Sequence, residues 1–325
     1  MAERAAISRT GIGHGKSPSD LDPRVHLTLP ALRALETQAR AISFLPKQPA
    51  RSALNGRHTS RIRGRGLDFE ELRDYLPSDD VRAIDWKVTA RTGTPFVRVY
   101  TEERDRPTLI LVDQRMSMFF GTQHNTKAVT AGECAAIAAF RILDQGDRVG
   151  GIVFGDQHIA EVRPKRSRAS LTQFLSRVAD ANALLHAKAP EVKPTTINQV
   201  LRAVQRIATR DHLVIIISDF NAVNDATRHL LGGISRRNDL VLGLVSDPSS
   251  QDLPSDARVT ASDGTLQAEF NLQDDTVRQD LISLSRGRIA DVMAWQNHMK
   301  VSILPLTTAE DTLPQMLGLL GRTRV

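Results

Sequence analysis

Runs of aliphatic residues with no polar residue among them most constrain how this chain can fold. The clearest are LILV at 109–112 and LVIII at 213–217, which Thr108 precedes and Ser218 follows. Such runs are typical of strands whose two faces are both covered, as in parallel sheets. They alternate along the chain with segments of helical periodicity, which predicts a doubly wound α/β domain with right-handed crossovers. The predicted strands are 107–113, 148–154, 212–218, 239–245 and 300–305, with a short antiparallel edge strand at 157–163; the predicted helices are 126–144, 168–182, 196–209, 224–236, 274–287 and 309–320.

Carboxylates and hydroxyl groups collect where these strands end. Asp113 ends the first strand and Ser117 follows it; Asp219 ends the third, and Thr195 begins a helix between them. In open α/β sheets the carboxyl ends of the strands form the ligand-binding edge, so we expect these side chains to converge. Oxygen ligands of this kind suit Mg²⁺. An alternative is that Asp113 and Asp219 only cap neighbouring helices.

This arrangement resembles the metal-ion-dependent adhesion site of von Willebrand factor A domains. The family pattern is Asp-x-Ser-x-Ser, then a distant Thr and a distant Asp, and here Asp113, Ser117, Thr195 and Asp219 match it. Arg115 stands in place of the first serine. A guanidinium has no lone pair to offer and stays protonated, so it cannot act as a ligand. We therefore expect the Mg²⁺ site to be weak or absent and Arg115 to neutralise the carboxylates; if its head reached solvent instead, a weakened site would survive.

The segment 61–105 resembles the motif of a bacterial family of unknown function, DUF58. The matching runs are Gly64-Arg65-Gly66, Asp68-Phe69-Glu70-Glu71-Leu72-Arg73-Asp74-Tyr75, Pro77-Ser78-Asp79-Asp80, Val81-Arg82-Ala83-Ile84-Asp85-Trp86 and Ala90-Arg91. The resemblance continues through Lys127, 146–150 and 218–220, and covers about residues 30 to 245. It implies a von Willebrand factor A-like protein that works beside a MoxR-type AAA+ ATPase in the assembly, maturation or metal loading of client proteins.

The charges of this motif are too numerous to be buried singly, so a paired network is expected beside Trp86. Its members would be Asp79, Asp80, Arg82, Asp85 and Arg91. The network either locks the module onto the sheet or forms a docking surface for a partner. Arg65 and Tyr75 complete the set of motif residues considered for docking.

The N-terminal part of the chain is basic. Residues 1–66 hold twelve Lys or Arg against four Asp or Glu, a net of +8, whereas the whole chain is +6. We divide the chain into a disordered tail (1–24), a charged module with an N-terminal helix at 30–45 and a loop at 46–63 (together 25–105), and the α/β domain (106–325). Nucleic-acid binding by the basic arm is the less favoured interpretation, because few aromatic residues accompany the charges.

Several classes of protein are excluded or disfavoured by the sequence. The longest apolar run, 134–140, is far shorter than the roughly 20 residues of a membrane helix. One cysteine and no apolar leader indicate a cytoplasmic protein. The run TGIGHGKS at 10–17 ends like a phosphate-binding loop, but no strand precedes it and Pro18 follows, so no nucleotide is expected.

Two functions remain. The first is a non-enzymatic adaptor with a degenerate adhesion site, in which Arg115 could hold a carboxylate of the partner. The second is a metal-assisted hydrolase that uses Asp113 and Asp219. Against the second, Ser117 has no assigned base, His124 lies in a loop-like stretch, and Cys134 lies in the middle of a predicted helix, where a packing role is expected.

Overall fold

The structure is a computed structural model that describes residues 22–42, 58–59, 67–76, 81–102, 106–186, 194–250, 258–262, 267–271 and 275–321. Its strands are β1 (His58–Thr59), β2 (Leu67–Asp74), β3 (Phe96–Glu102), β4 (Thr108–Asp113), β5 (Val149–Phe154), β6 (Ile159–Lys165), β7 (Leu213–Ser218), β8 (Asp239–Ser246), β9 (Arg258–Ser262), β10 (Gln267–Asn271) and β11 (Val301–Thr307). Its helices are α1 (Leu29–Ala34), α2 (Glu36–Ala39), α3 (Trp86–Thr92), α4 (Lys127–Asp144), α5 (Arg168–Ala183), α6 (Ile197–Ile207), α7 (Asp225–Ser235), α8 (Asp275–His298) and α9 (Thr312–Leu320).

The central sheet confirms the predicted doubly wound architecture. Its strand order is β11-β8-β7-β4-β5-β6, and all neighbours are parallel except β6, which pairs antiparallel with β5 as an edge strand. From β4 the chain first moves outward through β5 to β6 and then returns to β7 on the other side of β4. The order therefore reverses between β4 and β7, and the carboxyl ends of these two strands flank the crevice where such folds bind ligands.

Alternating residues of the buried strands build a separate core on each face of the sheet. Ile110 and Val112 of β4 face the core formed with α4 and α5, whereas Leu109 and Leu111 face the core formed with α6 and α7. This is the period-two alternation of a strand that is covered on both sides. It explains why the strands read as continuous aliphatic runs in the sequence.

The N-terminal elements differ from the sequence prediction. The single helix expected at 30–45 is two short helices, α1 and α2, which pack against α4 and α5. The predicted loop at 46–63 contains β1, which pairs with β3. β2 and β3 form an antiparallel pair with a register shift between Phe69 and Glu71, so the charged motif is carried largely by a small three-stranded sheet.

Other boundaries are close to those predicted. Helix α8 continues to His298, well beyond the expected end at 287, and β9 and β10 form an antiparallel pair that was not predicted.

Cys134 is a buried free thiol in α4, and burial raises its pKa to about 12. In the part of the chain that the structure describes, none of the helices combines the length and the hydrophobicity needed to cross a bilayer.

A buried amide chain fastens the N-terminal segment to the site end of the sheet. The Asn182 carboxamide in α5 accepts from the Leu27 backbone N–H at 2.7 Å and donates to Gln114 Oε1 at 3.0 Å. Gln114, which directly follows β4, donates in turn to the Ala128 carbonyl oxygen at 2.9 Å. Residues 26–28 are thereby tied to the segment that begins at Asp113.

We expect Asn182→Ala to lower the free energy of unfolding by about 2–3 kcal/mol, because it leaves a buried N–H and a buried amide oxygen without partners. Urea denaturation measures the change. Gln173→Ala, at an exposed position of the same helix, is the matched control and should stay within about 0.5 kcal/mol of the wild type. Equal losses in the two variants would show that the amide chain contributes nothing.

Candidate functional site

The two carboxylates of the predicted site lie at the adjacent carboxyl ends of β4 and β7. Asp113 is the last residue of β4 and Asp219 directly follows β7; their exposed fractions are 0% and 2%. Neither caps a helix: the N-caps of the helices that follow are Thr126 for α4 and Asn224 for α7. The capping alternative is therefore wrong. Both charges are held in a buried environment, where each needs a compensating partner.

The Arg115 side chain folds back to form a bidentate ion pair with Asp113. Its Nε donates to Asp113 Oδ1 at 3.0 Å, its Nη2 donates to Oδ2 at 2.7 Å, and its backbone N–H also donates to Oδ1 at 3.0 Å. The guanidinium is 5% exposed and lies 5.5 Å from the centre of the Phe154 ring. Burial alone would lower the pKa of Arg115, but Asp113 raises it above its ordinary value. The alternative in which this head reaches solvent is therefore wrong.

Lys127 supplies a second built-in cation. It is the first residue of α4, and its Nζ donates to Asp219 Oδ2 at 2.6 Å. Burial by itself would raise the pKa of Asp219, but the Lys127 ammonium, with a smaller contribution from Arg115, lowers it below the ordinary value. Asp219 Oδ1 accepts the Asn221 backbone N–H at 3.0 Å. Each carboxylate is thus matched by one cation of the chain itself.

The last residue of β7 places a hydroxyl group against Asp113. Ser218 Oγ donates to Asp113 Oδ2 at 2.7 Å and accepts the Phe220 backbone N–H at 2.9 Å. Phe220 adopts a left-handed backbone with φ of 50°, which is unfavourable for a residue that carries a side chain. Its buried ring packs edge-on against Trp295, with ring centres 5.9 Å apart. The packing holds a conformation that costs on the order of 1–3 kcal/mol.

Thr195 lies beside the site, but its hydroxyl is already engaged. Thr195 Oγ1 donates to the backbone oxygen of Asp156 at 2.9 Å, and its carbonyl oxygen lies 3.5 Å from Nη1 of Arg115. Thr196 is the N-cap of α6, in a capping box with Gln199. Thr195 therefore ties the start of α6 to the β5–β6 turn.

Asp156, in the β5–β6 turn, is a third carboxylate that the sequence analysis did not include. Its Oδ2 accepts the Met116 backbone N–H at 2.9 Å. Burial raises the pKa of Asp156 by more than the Met116 hydrogen bond and the charge of Arg115 lower it. The remaining predicted residue, Ser117, lies in the 3₁₀ turn Met116–Met118, and its buried Oγ has no hydrogen-bond partner among the described residues.

These side chains do not fit a divalent cation. The carboxylate oxygens of Asp113 pair with the Arg115 guanidinium, and Lys127 Nζ lies 2.6 Å from Asp219 Oδ2. A dication at this point would have to displace two fixed positive charges. Over the ranges that the structure describes, no group of three or more His, Cys, Asp or Glu residues is arranged to hold a metal.

A further buried acid, Asp247, anchors the outer part of the same edge. Asp247, which follows β8, accepts the backbone N–H and the hydroxyl of Thr122 at 2.9 and 2.7 Å. It also accepts the hydroxyl of Thr308, which follows β11. Nearby, the His124 imidazole pairs with Asp311 Oδ1 at 2.8 Å. The long β4–α4 loop is therefore anchored across the sheet to the ends of β8 and β11.

The motif residues of the N-terminal module are described only in part. Arg65, Asp79 and Asp80 lie outside the described residues, so the expected network stays a prediction. Asp85 is the N-cap of α3 and accepts the Lys87 and Val88 backbone N–H groups at 3.0 and 3.3 Å. Trp86 is 64% exposed, and Arg82 and Arg91 are exposed as well. Tyr75 is half-buried, and its backbone N–H donates to the Pro95 carbonyl oxygen at 2.9 Å.

Lys127, Ser218 and Asp156 complete the site, and reasoning from the sequence did not assign them to it. A signal for Lys127 was present: a lysine at the first position of a helix lies against the positive end of the helix dipole, which indicates a carboxylate partner. No comparable signal existed for Asp156, because an aspartate in a tight turn is ordinary turn chemistry.

Comparisons with known proteins agree with the resemblance drawn from the sequence. A family model described as "Protein of unknown function DUF58" matches residues 71–288, well over half of the chain. Similar proteins include the uncharacterized protein Rv1480 of Mycobacterium tuberculosis and the uncharacterized protein Mb1516 of Mycobacterium bovis. Each is 28% identical over 292 residues, which are 89% of this chain and 90% of the relative. Among solved structures, the VWA domain of SpRpn10 matches with a TM-score of 0.36 and 10% identity, covering 68% of this chain and 98% of that one; a likeness this distant supports no inference.

Proposed function

The chain belongs to the DUF58 family, and from that premise we propose that it is a non-enzymatic adaptor that binds other proteins at the carboxyl edge of its sheet. The observation that carries the proposal is the pair of built-in cations: Arg115 neutralises Asp113 and Lys127 neutralises Asp219. In the degenerate adhesion site, these two side chains thereby occupy the carboxylates that would otherwise bind a metal; we call this the closed site. A docking edge of this kind is formed in advance and needs no metal to organise it.

The expected role of Arg115 toward a partner needs correction. A partner's carboxylate would need free N–H groups on an accessible guanidinium, but Arg115 is buried and directs Nε and Nη2 at Asp113. Contact with a partner falls instead to the side chains around the closed site. Met116 and Phe120 are exposed there at 37% and 40%, and Lys127 lies 6.0 Å from the Phe120 ring. Exposed apolar side chains that border a buried polar cluster are suitable anchors for an interface.

Three features favour an adaptor over a metal-assisted hydrolase. The acids that would hold the metal are paired with cations. Ser117 has no basic partner among the described residues, and His124 pairs with Asp311. The thiol of Cys134 is buried with a raised pKa, so it is a poor nucleophile. The basic arm invoked for nucleic-acid binding lies largely outside the described residues, and that function gains no support here.

A MoxR-type AAA+ ATPase is the partner that the family resemblance implies, with a client protein whose assembly or maturation the pair would assist. We place this role in the cytoplasm, where the one cysteine of the chain would stay reduced. The proposal is tested by size-exclusion chromatography and calorimetry of the chain with the MoxR-type ATPase from the same organism.

The decisive variants change the edge and leave the buried pairs intact. Phe120→Ala removes the exposed aromatic ring from the apolar rim and is expected to weaken the complex at least tenfold, a loss of about 1.4 kcal/mol. Gln145→Ala, at the exposed C-cap of α4 at the opposite edge, should leave binding unchanged. Absence of a complex with the wild type, or equal weakening by both variants, would contradict the proposed docking edge.

A further inference from the structure

A cavity of about 330 Å³ opens beside the closed site, between the β5–β6 turn and the end of α5. Its walls are mainly apolar and include Met116, Val153, Ala181 and Leu184. Leu184 is 56% exposed, so part of this apolar lining meets solvent. The volume lies at the lower end of the range of ligand pockets, which suits one or two side chains of a partner better than a large cofactor.

The charged groups of the cavity leave one carboxylate unmatched. Arg177 and Asp180 lie 3.7 Å apart and face each other as a pair, and His158 and His186 complete the polar lining. Asp156 remains. Its Oδ2 is occupied by the Met116 N–H, whereas its Oδ1 accepts no hydrogen bond from the residues that the structure describes. Arg115, the cation whose charge acts on Asp156, is committed to Asp113.

The loops at the carboxyl ends of the strands, around the cavity, are also negatively charged. In the described loops at the carboxyl ends of the strands (114–126, 155–158, 219–224, 247–250 and 308–311), the one Lys or Arg is Arg115, which is buried. Of the adjoining cations, Lys127 is paired with Asp219 and Arg228 lies 3.5 Å from Asp225. Glu310 and Asp311 are exposed at this edge. The chain as a whole is +6, so this acidic edge runs against its net charge. A basic segment would be attracted to this edge and an acidic one repelled.

We propose that this cavity is the specificity site of the docking edge, and that it takes an apolar side chain of a partner protein with a neighbouring Lys or Arg paired to Asp156. The inference rests on the proposed adaptor function and names the chemistry of the partner. The apolar side chain fills the cavity between β6 and α5, and the basic group reaches Oδ1 of Asp156. Burial of Asp156 strengthens such a pair, because the carboxylate is already partly desolvated before the partner arrives.

The test uses three synthetic hexapeptides on the full-length chain labelled with ¹³C at its methionine methyl groups. The first peptide is acetyl-Gly-Ser-Leu-Lys-Ser-Gly-amide; the second has Glu in place of Lys, and the third has Ser in place of Leu. Met116 lines the cavity, while Met299 lies on the other face of the sheet and serves as the internal reference. The first peptide is expected to shift the Met116 methyl signal in a saturable way, with a millimolar Kd, and to leave Met299 in place.

Two variants assign the effect to the cavity. Asp156→Asn is expected to weaken binding of the first peptide about tenfold, while Asp225→Asn, at another exposed acid of the edge, leaves it unchanged. Ala181→Phe, which fills the cavity from α5, should abolish the shift. Thermal unfolding of each variant verifies that it is folded.

The inference is overturned if the first peptide leaves Met116 unshifted, if the Glu peptide binds as well, or if Asp156→Asn has no effect in a folded protein. These outcomes are independent of the ATPase experiment. An ATPase complex without peptide binding would overturn the inference alone, and peptide binding without an ATPase complex would overturn the proposed partner alone.

Discussion

Replacing Lys127 by methionine is expected to lower the free energy of unfolding by about 3–5 kcal/mol, because it leaves the buried carboxylate of Asp219 without its cation. Methionine keeps most of the volume of lysine and has good helix propensity, so the loss of the charge dominates the effect. Asp219 is 2% exposed, and its ion pair with Lys127 is 2.6 Å long. Urea denaturation of both proteins at pH 7 measures the difference.

The matched control is Lys165→Met, at an exposed position of β6, which is expected to change stability by less than about 0.5 kcal/mol. Asp219→Asn in the Lys127→Met background removes the orphaned charge and should recover much of the loss. If Lys127→Met matched its exposed control, the pair would not be a buried ion pair in solution.

The same pair predicts a dependence on pH. The folded-state pKa of Asp219 is lowered, so its contribution is fully present above the unfolded value of about 3.9 and is lost as the pH falls through the folded pKa. In Lys127→Met, burial then dominates and the pKa of Asp219 is raised, so the deficit of the variant should be smaller at pH 5 than at pH 7. Denaturation curves of the variant and the wild type at both pH values measure this; a deficit that is constant between them would contradict the assignment.

Replacing Arg115 by serine restores the residue type of the adhesion-site pattern, yet we do not expect it to restore a metal site. The variant should lose about 3–5 kcal/mol of stability, because Asp113 keeps its hydrogen bonds from Ser218 and from the backbone but loses its counter-ion. Addition of Mg²⁺ should not restore the stability of the variant, because Lys127 still pairs with the Asp219 carboxylate. Thermal unfolding with and without 5 mM Mg²⁺ measures both effects.

Removing both cations is the informative companion experiment. Arg115→Ser with Lys127→Ser leaves two acids, four serines (Ser117, Ser218 and the two introduced) and a threonine around one point, so this double variant is expected to gain stability when Mg²⁺ is added. Arg115→Lys, which keeps the positive charge but not the two-point geometry, should lose less stability than Arg115→Ser. Stabilisation of the Arg115→Ser variant by Mg²⁺ would contradict the role assigned to Lys127.

The sheet and the meeting of Asp113 with Asp219 could be predicted because each depends on a local pattern and a topological rule. An aliphatic run such as LVIII specifies a strand that is covered on both faces, and parallel strands bring their carboxyl ends to one edge. The pairing of Arg115 with a carboxylate was expected, but the solvent-directed alternative stayed open in the sequence because the direction of the side chain depends on the space left beside Phe154. The Lys127 pair spans 92 residues of sequence, so the position of Lys127 at a helix start could indicate a carboxylate partner but not that the partner is Asp219.

The N-terminal sheet shows the same limit. β2 reads LDFEELRD, in which the alternation of the first four residues is broken at Glu71, where the pairing with β3 shifts register. Its structure comes from pairing with β3 some thirty residues later. Thr195 illustrates a subtler difference. Its position beside the site follows from the family pattern, but the engagement of its hydroxyl with the Asp156 carbonyl depends on the shape of the β5–β6 turn.

The central claim is that two of the chain's own cations take the place of a metal ion between Asp113 and Asp219. Isothermal titration calorimetry of the wild-type chain with Mg²⁺ and with Mn²⁺ at pH 7 tests it most directly, with the Arg115→Ser, Lys127→Ser double variant as the positive comparison. We predict no heat beyond dilution for the wild type with either ion. Saturable binding of either ion by the wild type at micromolar concentration, lost in Asp113→Ala, would contradict the claim.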